Sequence, residues 1–177
     1  MRVAVTGTPG TGKTTATDLL EERLAEDDSL PDLEVIHLNR VLEREGLYTE
    51  VDAERESKVA DLDALAEWLE GREGVVESHL AHHFEADRVA VLRCEPERLE
   101  ERLLERGETE AKAAENAESE ALDVVLSEAV EEHGLELVYE IDTTDRDPDG
   151  VADALEAVVT GDREPSAGEV DFMGYLT

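Results

Sequence analysis

Residues Gly7-Thr8-Pro9-Gly10-Thr11-Gly12-Lys13-Thr14 spell G-x-x-x-x-G-K-T, directly after the apolar run Val3-Ala4-Val5 and directly before a helical pattern. That context turns a short motif into a strong constraint. Glycines let the backbone wrap so that successive N–H groups face an anion, and the helix start adds positive potential. In such a loop the lysine reaches the β- and γ-phosphates of a nucleotide and the threonine hydroxyl serves magnesium. The alternative is a glycine-rich turn with a surface lysine. Against it, the chain keeps only three lysines, Lys13, Lys58 and Lys112, and one stands at the motif position. The expected ligands are therefore ATP and Mg2+.

The rest of the chain alternates short apolar runs with helical spacings. Strands are expected at 2–6, 34–38, 74–78, 88–94 and 136–141. Helices are expected at 13–25, 39–46, 53–70, 96–106, 112–132 and 148–159. Pro96 opens one helix and Gly107 stops it. Strands of this kind, separated by helices, predict a P-loop α/β fold, a five-stranded parallel sheet flanked by helices. Residues 31–54 and 105–115 interrupt the alternation, and insertions at the C-terminal edge of such a sheet are where ligands bind. Residues 161–177 show no periodicity and are expected to form a tail.

The charge is extreme, with 48 acidic against 16 basic residues and a formal net charge of −32. The acid is spread along the chain among periodic Leu, Val and Ala rather than gathered in a tail. This pattern suits a solvated surface for very high salt, where self-repulsion is screened within a few ångströms, and it resembles halophilic proteins. It argues against direct binding to nucleic acid or an anionic membrane. No stretch approaches the roughly 20 apolar residues of a membrane span. The single cysteine, Cys94, allows no internal disulfide and reads as a buried strand thiol; a reducing cytoplasm is the expected location.

Two further groups carry chemistry. Glu77-Ser78-His79 ends the third strand, where a carboxylate beside the P-loop strand holds magnesium and a histidine orients or deprotonates a water or hydroxyl. Glu77 could instead serve a helix N-terminus, and His79 could be a surface residue. His82 and His83 read as surface histidines, because no cysteine or spaced carboxylate in the sequence completes a metal site. Arg102 and Arg106 stand one helical turn apart, suited either to charge on a transferred phosphoryl group or to i,i+4 ion pairs. A GTPase reading fails because no Asn-Lys-x-Asp motif is present: Asp142-Thr143-Thr144-Asp145 lacks the lysine.

The run from Val5 to Thr15, the strand end Glu77-Ser78-His79, and Glu105-Arg106-Gly107 with Lys112, Glu115-Asn116 and Ser119-Glu120 resemble the small archaeal and eukaryotic adenylate kinases. That family includes the human coilin-interacting nuclear ATPase and its yeast counterpart in ribosome maturation. The resemblance runs to about Val159. It implies one nucleoside monophosphate (NMP) kinase domain over 1–160, with an NMP-binding insert near 31–54, a lid near 105–115 and a tail at 161–177. It implies that Gly10, Gly12, Lys13, Thr14 and Thr15 hold the ATP phosphates. Arg106 would be the lid arginine with Arg102 beside it, and Arg146 would lie by the adenine where the family has lysine. Arg40 or Arg44 would hold the NMP. Glu77 stands where the family has aspartate in an Asp-x-His motif. The resemblance further implies reversible transfer of the ATP γ-phosphate to AMP or another NMP, ATPase activity, and a part in late maturation of the small ribosomal subunit and its 16S rRNA. The partner there would be a basic small-subunit protein of the S-eleven family. The alternative is an ATPase assembly factor with incidental kinase activity.

Overall fold

The computed structural model describes residues 1–52 and 57–177, with side chains described outside 50–58. Five strands form one parallel sheet: β1 (Arg2–Gly7), β2 (Val35–His37), β5 (Gly74–Glu77), β6 (Arg88–Arg93) and β7 (Val138–Asp142), in the order β2-β5-β1-β6-β7. The expected five-stranded sheet is therefore present. The chain runs from β1 out to the edge strand β2, returns to β5, then crosses β1 to reach β6 and β7. Such a change of direction opens a crevice at the carboxyl ends of the strands around β1. Register puts Val5 opposite Glu77 on one side and Ala90 on the other.

Both sheet faces are covered, as parallel strands require. Side chains alternate along β1: Val3 and Val5 join the core under α1 (Lys13–Glu26) and α7 (Pro148–Thr160), with Leu20, Leu155 and Val158. Ala4 faces the opposite core with Leu65, Leu69, Val89, Val91 and Ala129. That second core is closed by α2 (Leu38–Glu45), α3 (Leu62–Leu69) and α6 (Val124–His133). A small third cluster of Cys94, Leu99, Leu103 and Ala113 joins α4 (Pro96–Glu105) to α5 (Glu110–Ala121). The Cys94 thiol is fully buried, and burial pushes its pKa up to about 11, so it is a packing residue.

Two expected helices differ. The helix expected over 53–70 is α3 alone. Asp61 caps it, accepting from Ala64 N at 3.0 Å, while β4 (Ser57–Ala60) pairs antiparallel with β3 (Tyr48–Asp52) as a separate ribbon. Residues 53–56 of that expected helix, and so the end of the 31–54 insert, lie outside the described residues. The long helix expected over 112–132 is two helices, α5 and α6, broken at Asp123, whose φ of 55° is left-handed. Asp tolerates that conformation better than most residues. Here Arg93 holds the break, donating from Nη2 to Asp123 Oδ1 at 2.5 Å and to the Glu120 carbonyl at 3.1 Å. Helical periodicity continues across the break, which is why the pattern alone reads as one helix.

The segment 161–177 packs along the edge strand. Ser166 N donates to Val138 O at 3.0 Å, and Gly168, Glu169 and Val170 donate backbone N–H groups to Glu140 Oε1 at 2.9, 2.8 and 3.2 Å. Its lack of periodicity reflects attachment through backbone groups rather than an apolar face.

Candidate active site

The P-loop leaves β1 at Gly7 and enters α1 at Lys13. Gly12, at the helix start, has φ 90°. Gly10 has φ 94°, and a Cβ there would lie 2.9 Å from Leu99 and Leu103, so α4 seals the outer side of the loop. Lys13 is buried, and its ammonium donates to Gly7 O at 2.9 Å and Thr8 O at 3.1 Å. Burial lowers its pKa to about 8. Glu77 and Glu120 pull it back up, and Arg106 pushes it down.

A cavity of about 350 Å³ opens over this loop. It is lined by Gly10, Gly12, Lys13, Thr14 and Thr15, by Glu77 and His79 from the end of β5, and by Arg106. Asn39, which the sequence did not single out, completes it. Thr14 Oγ1 lies 3.3 Å from Glu77 Oε1, at the wall of the cavity. A hydroxyl beside a carboxylate is a hard oxygen donor set, so these two residues fit Mg2+, an ion that keeps several of its waters. The second oxygen of Glu77, Oε2, is held 2.8 Å from His37 Nδ1. His37 Nε2 in turn lies 3.0 Å from Asp18 Oδ1 on α1. His79 is half-buried. Burial first, and the Lys13 charge second, lower its pKa to about 4, so it stands as a neutral imidazole at neutral pH.

Two further cavities adjoin the first. One of about 260 Å³ shares Gly10, Gly12 and Thr15 with it and is lined by Arg102, Thr143, Arg146 and Val151. The other, about 420 Å³, shares Asn39 and His79 and is lined by Leu42, Glu43, Val59, Ala60, Leu62 and Leu80. Arg102 in α4 and Arg106 at its C-cap therefore do not act as one pair. Arg106 faces the phosphate cavity, whereas Arg102 faces its neighbour and donates to Thr143 Oγ1 at 3.4 Å and Thr143 O at 3.3 Å. Neither Arg40 nor Arg44 lines any of the three cavities; Arg44 is exposed and pairs with Glu45 at 3.1 Å. The reading of His82 as a surface histidine is also overturned: it is 1% exposed, beneath α6.

His37 and Asn39 escaped the sequence reading, and Glu120, quoted there only for the resemblance, was given no role. His37 sits opposite Glu77 in the register of β2 on β5, a long-range adjacency that sequence distance conceals. Glu120 is nearly fully buried. Its carboxylate accepts from Thr8 Oγ1 at 3.4 Å, from Arg93 Nε at 3.0 Å and from Cys94 N at 2.9 Å, so it ties the P-loop to β6.

A parallel sheet, a glycine loop opening α1, and a carboxylate at the end of the neighbouring strand together define a P-loop nucleotide-binding protein. The chain belongs to the AAA domain family, whose model matches residues 3–123, and within it to an archaeal group of full-length relatives. It is 60% identical over 177 residues to a Natronomonas pharaonis protein named "Putative adenylate kinase", covering 99% of this chain and 100% of that one. Proteins of the same name from Halobacterium salinarum and Methanothermobacter thermautotrophicus are 58% and 44% identical, over 99% and 98% of this chain and 100% and 98% of theirs. The fold is also that of shikimate kinase from Bacteroides thetaiotaomicron, with a TM-score of 0.57 at 16% identity, covering 90% of this chain and 98% of that one.

Proposed function

We propose that this protein is a nucleoside monophosphate kinase of the adenylate kinase type, moving the γ-phosphoryl group of ATP to AMP or another NMP and back. The observation that carries this reading is the meeting of three cavities. The phosphate cavity adjoins, at the P-loop, a cavity bearing Arg102 and Arg146, and, at Asn39 and His79, a largely apolar one under α2 and β4. Two nucleotides bound in the outer cavities would direct their phosphates toward the same central space, which is what direct transfer needs. The names of the relatives support the same reading.

In this reading Gly10, Gly12, Thr15 and Lys13 bind the ATP phosphates. Lys13 and Arg106 offset charge as it shifts onto the bridging oxygen, and Arg102 and Arg146 border the base. Thr14 and Glu77 would hold Mg2+, which neutralises phosphate charge when bound. The insert near 31–54 and the segment 105–115, which runs from the end of α4 into α5, serve as acceptor wall and lid of a single domain over 1–160. Because Arg40 and Arg44 lie outside the acceptor cavity, the NMP phosphate is held by the P-loop side and Arg106 unless α2 moves. The test is ADP formation from ATP with and without AMP in molar KCl. A strong AMP-dependent rate is expected; the same slow phosphate release in both cases would overturn the reading.

The neutral imidazole of His79 at the phosphate cavity also favours an ATPase activity, because it can orient a water. His79→Ala is expected to lower phosphate release more than AMP-dependent transfer, measured side by side; equal losses would give His79 a step common to both. A part in small-subunit ribosome maturation, with a basic ribosomal protein as partner, rests on the family resemblance. The acidic surface suits such a partner better than RNA. Among the described residues no helix is long and apolar enough to cross a membrane.

A further inference from the structure

Outside the phosphate cavity, a second chemical cluster forms where the 3-10 turn Ala81–His83 meets α6. His82 Nε2 lies 2.7 Å from Glu128 Oε2, and His83 Nε2 lies 3.7 Å from the same oxygen. The ligand atoms of all three residues fall within 4.8 Å of one another. The other nitrogen of each ring is already held. His82 Nδ1 is 2.7 Å from the buried Thr6 Oγ1, and His83 Nδ1 is 2.8 Å from Glu132 Oε1. Glu128 and Glu132 are one turn apart on α6, so one helix face supplies both the shared carboxylate and an outer partner. His133, on the same helix, donates from Nε2–H to the His82 carbonyl at 2.7 Å, and this fixes the turn against α6.

We propose that His82, His83 and Glu128 form a binding site for a divalent transition cation, zinc above all. Two imidazoles and one carboxylate suit zinc far better than Mg2+ or Ca2+, which prefer all-oxygen shells. Ligand atoms around a tetrahedral zinc sit about 3.3 Å apart for bonds near 2.0 Å. The spacings of 2.7 and 3.7 Å straddle that value, so small rotamer adjustments suffice. The outer partners match what metal-binding histidines require. A hydrogen bond at each Nδ1 fixes the tautomer that offers Nε2 to the metal, and Thr6, which can accept as well as donate, serves that tautomer at His82. Half-exposed Glu128 leaves the fourth position open to water. Zinc here would clamp α6 to the turn that immediately follows His79, and so brace one wall of the phosphate cavity from outside.

The test is zinc binding to the full chain, stripped with chelator, in molar KCl with excess Mg2+ and no nucleotide. Affinity and stoichiometry are read by calorimetry, and geometry by the visible spectrum with Co2+ in place of Zn2+. One equivalent bound with a tetrahedral Co2+ spectrum is expected. His83→Ala and Glu128→Gln, both at positions exposed enough to leave the core intact, are each expected to weaken binding about 100-fold and abolish that spectrum; Glu132→Gln should weaken it about 10-fold. Zinc should raise the melting temperature of the wild-type protein and of neither ligand variant. Unchanged affinity in both ligand variants would put the metal elsewhere and overturn the proposal. So would wild-type binding no tighter than that of scattered surface carboxylates.

Discussion

At the scale of residues, Lys13 carries the most specific prediction. Its ammonium is buried among loop carbonyls, with a pKa lowered to about 8. Phosphates bind the protonated form, and their charge raises the pKa in the complex. Below pH 8 the free protein already holds the proton and affinity for ATP is flat. Above pH 8 binding must take up a proton, so affinity falls by up to about tenfold per pH unit until the pKa of the complex is reached. Calorimetry in buffers of different ionisation enthalpy measures that uptake directly; affinity independent of pH between 7 and 9.5 would contradict it. Lys13→Ala should abolish transfer with the circular dichroism spectrum intact. His37 acts at one remove, through Glu77. His37→Ala leaves Glu77 Oε2 without its 2.8 Å partner. Loss of such an outer partner raises the Mg2+ concentration for half-maximal rate by about 10- to 100-fold, with a smaller change in kcat at saturating Mg2+. A Mg2+ titration of the initial rate checks this, and an unchanged midpoint would make His37 a packing residue.

At the scale of elements, α4 and the short connection to α5 decide how the two arginines act. Arg106 caps the end of α4 and faces Lys13 across the phosphate cavity, whereas Arg102, one turn earlier, is committed to Thr143. Arg106→Ala is therefore expected to lower kcat by about 10³-fold, as loss of an arginine that meets transition-state charge does. Arg102→Ala should mainly raise KM for ATP; steady-state kinetics separates the two, and a pure KM effect for Arg106 would reduce it to a uniform binding group. The contrast marks how far the sequence is legible. The P-loop is contiguous, so its fold and its phosphate-facing residues can be read from eight positions. Glu77 and His79 can be read because the end of an apolar strand run is a local feature. What cannot be read depends on which strands are neighbours. The contact of His37 with Glu77 follows from β2 pairing with β5, and that of Glu120 with Thr8 from α5 returning over β6. The break at Asp123 is set by Arg93, thirty residues earlier, so no local signal in the helix reports it.

At the scale of the whole molecule, the acid divides into two populations. A few carboxylates are buried, and the structure compensates each with specific partners. Glu120 and Glu140 share Arg93, with Asp123 on the same guanidinium, and Glu77 is held by His37. The great majority lie on the surface, where a net charge of −32 on a chain of 177 residues exceeds what its cations can offset locally. That surplus opposes compaction, and only screening relieves it. The screening length falls from about 10 Å at 0.1 M salt to about 3 Å at 1 M, shorter than the spacing of most surface charges. If self-repulsion amounts to several kcal/mol, a protein of this size should gain about 10 °C or more in melting temperature between 0.1 M and 2 M KCl. NaCl at equal ionic strength should give a closely similar rise, because the effect is one of screening. The buried Arg93 network is shielded from the ions, so its substitution should cost the same stability at both salt concentrations. Thermal melts followed by circular dichroism across a KCl series test the point. A melting temperature that does not respond to salt would mean that the acidic surface is not a stability liability, and the reading of this chain as adapted to concentrated salt would fall with it.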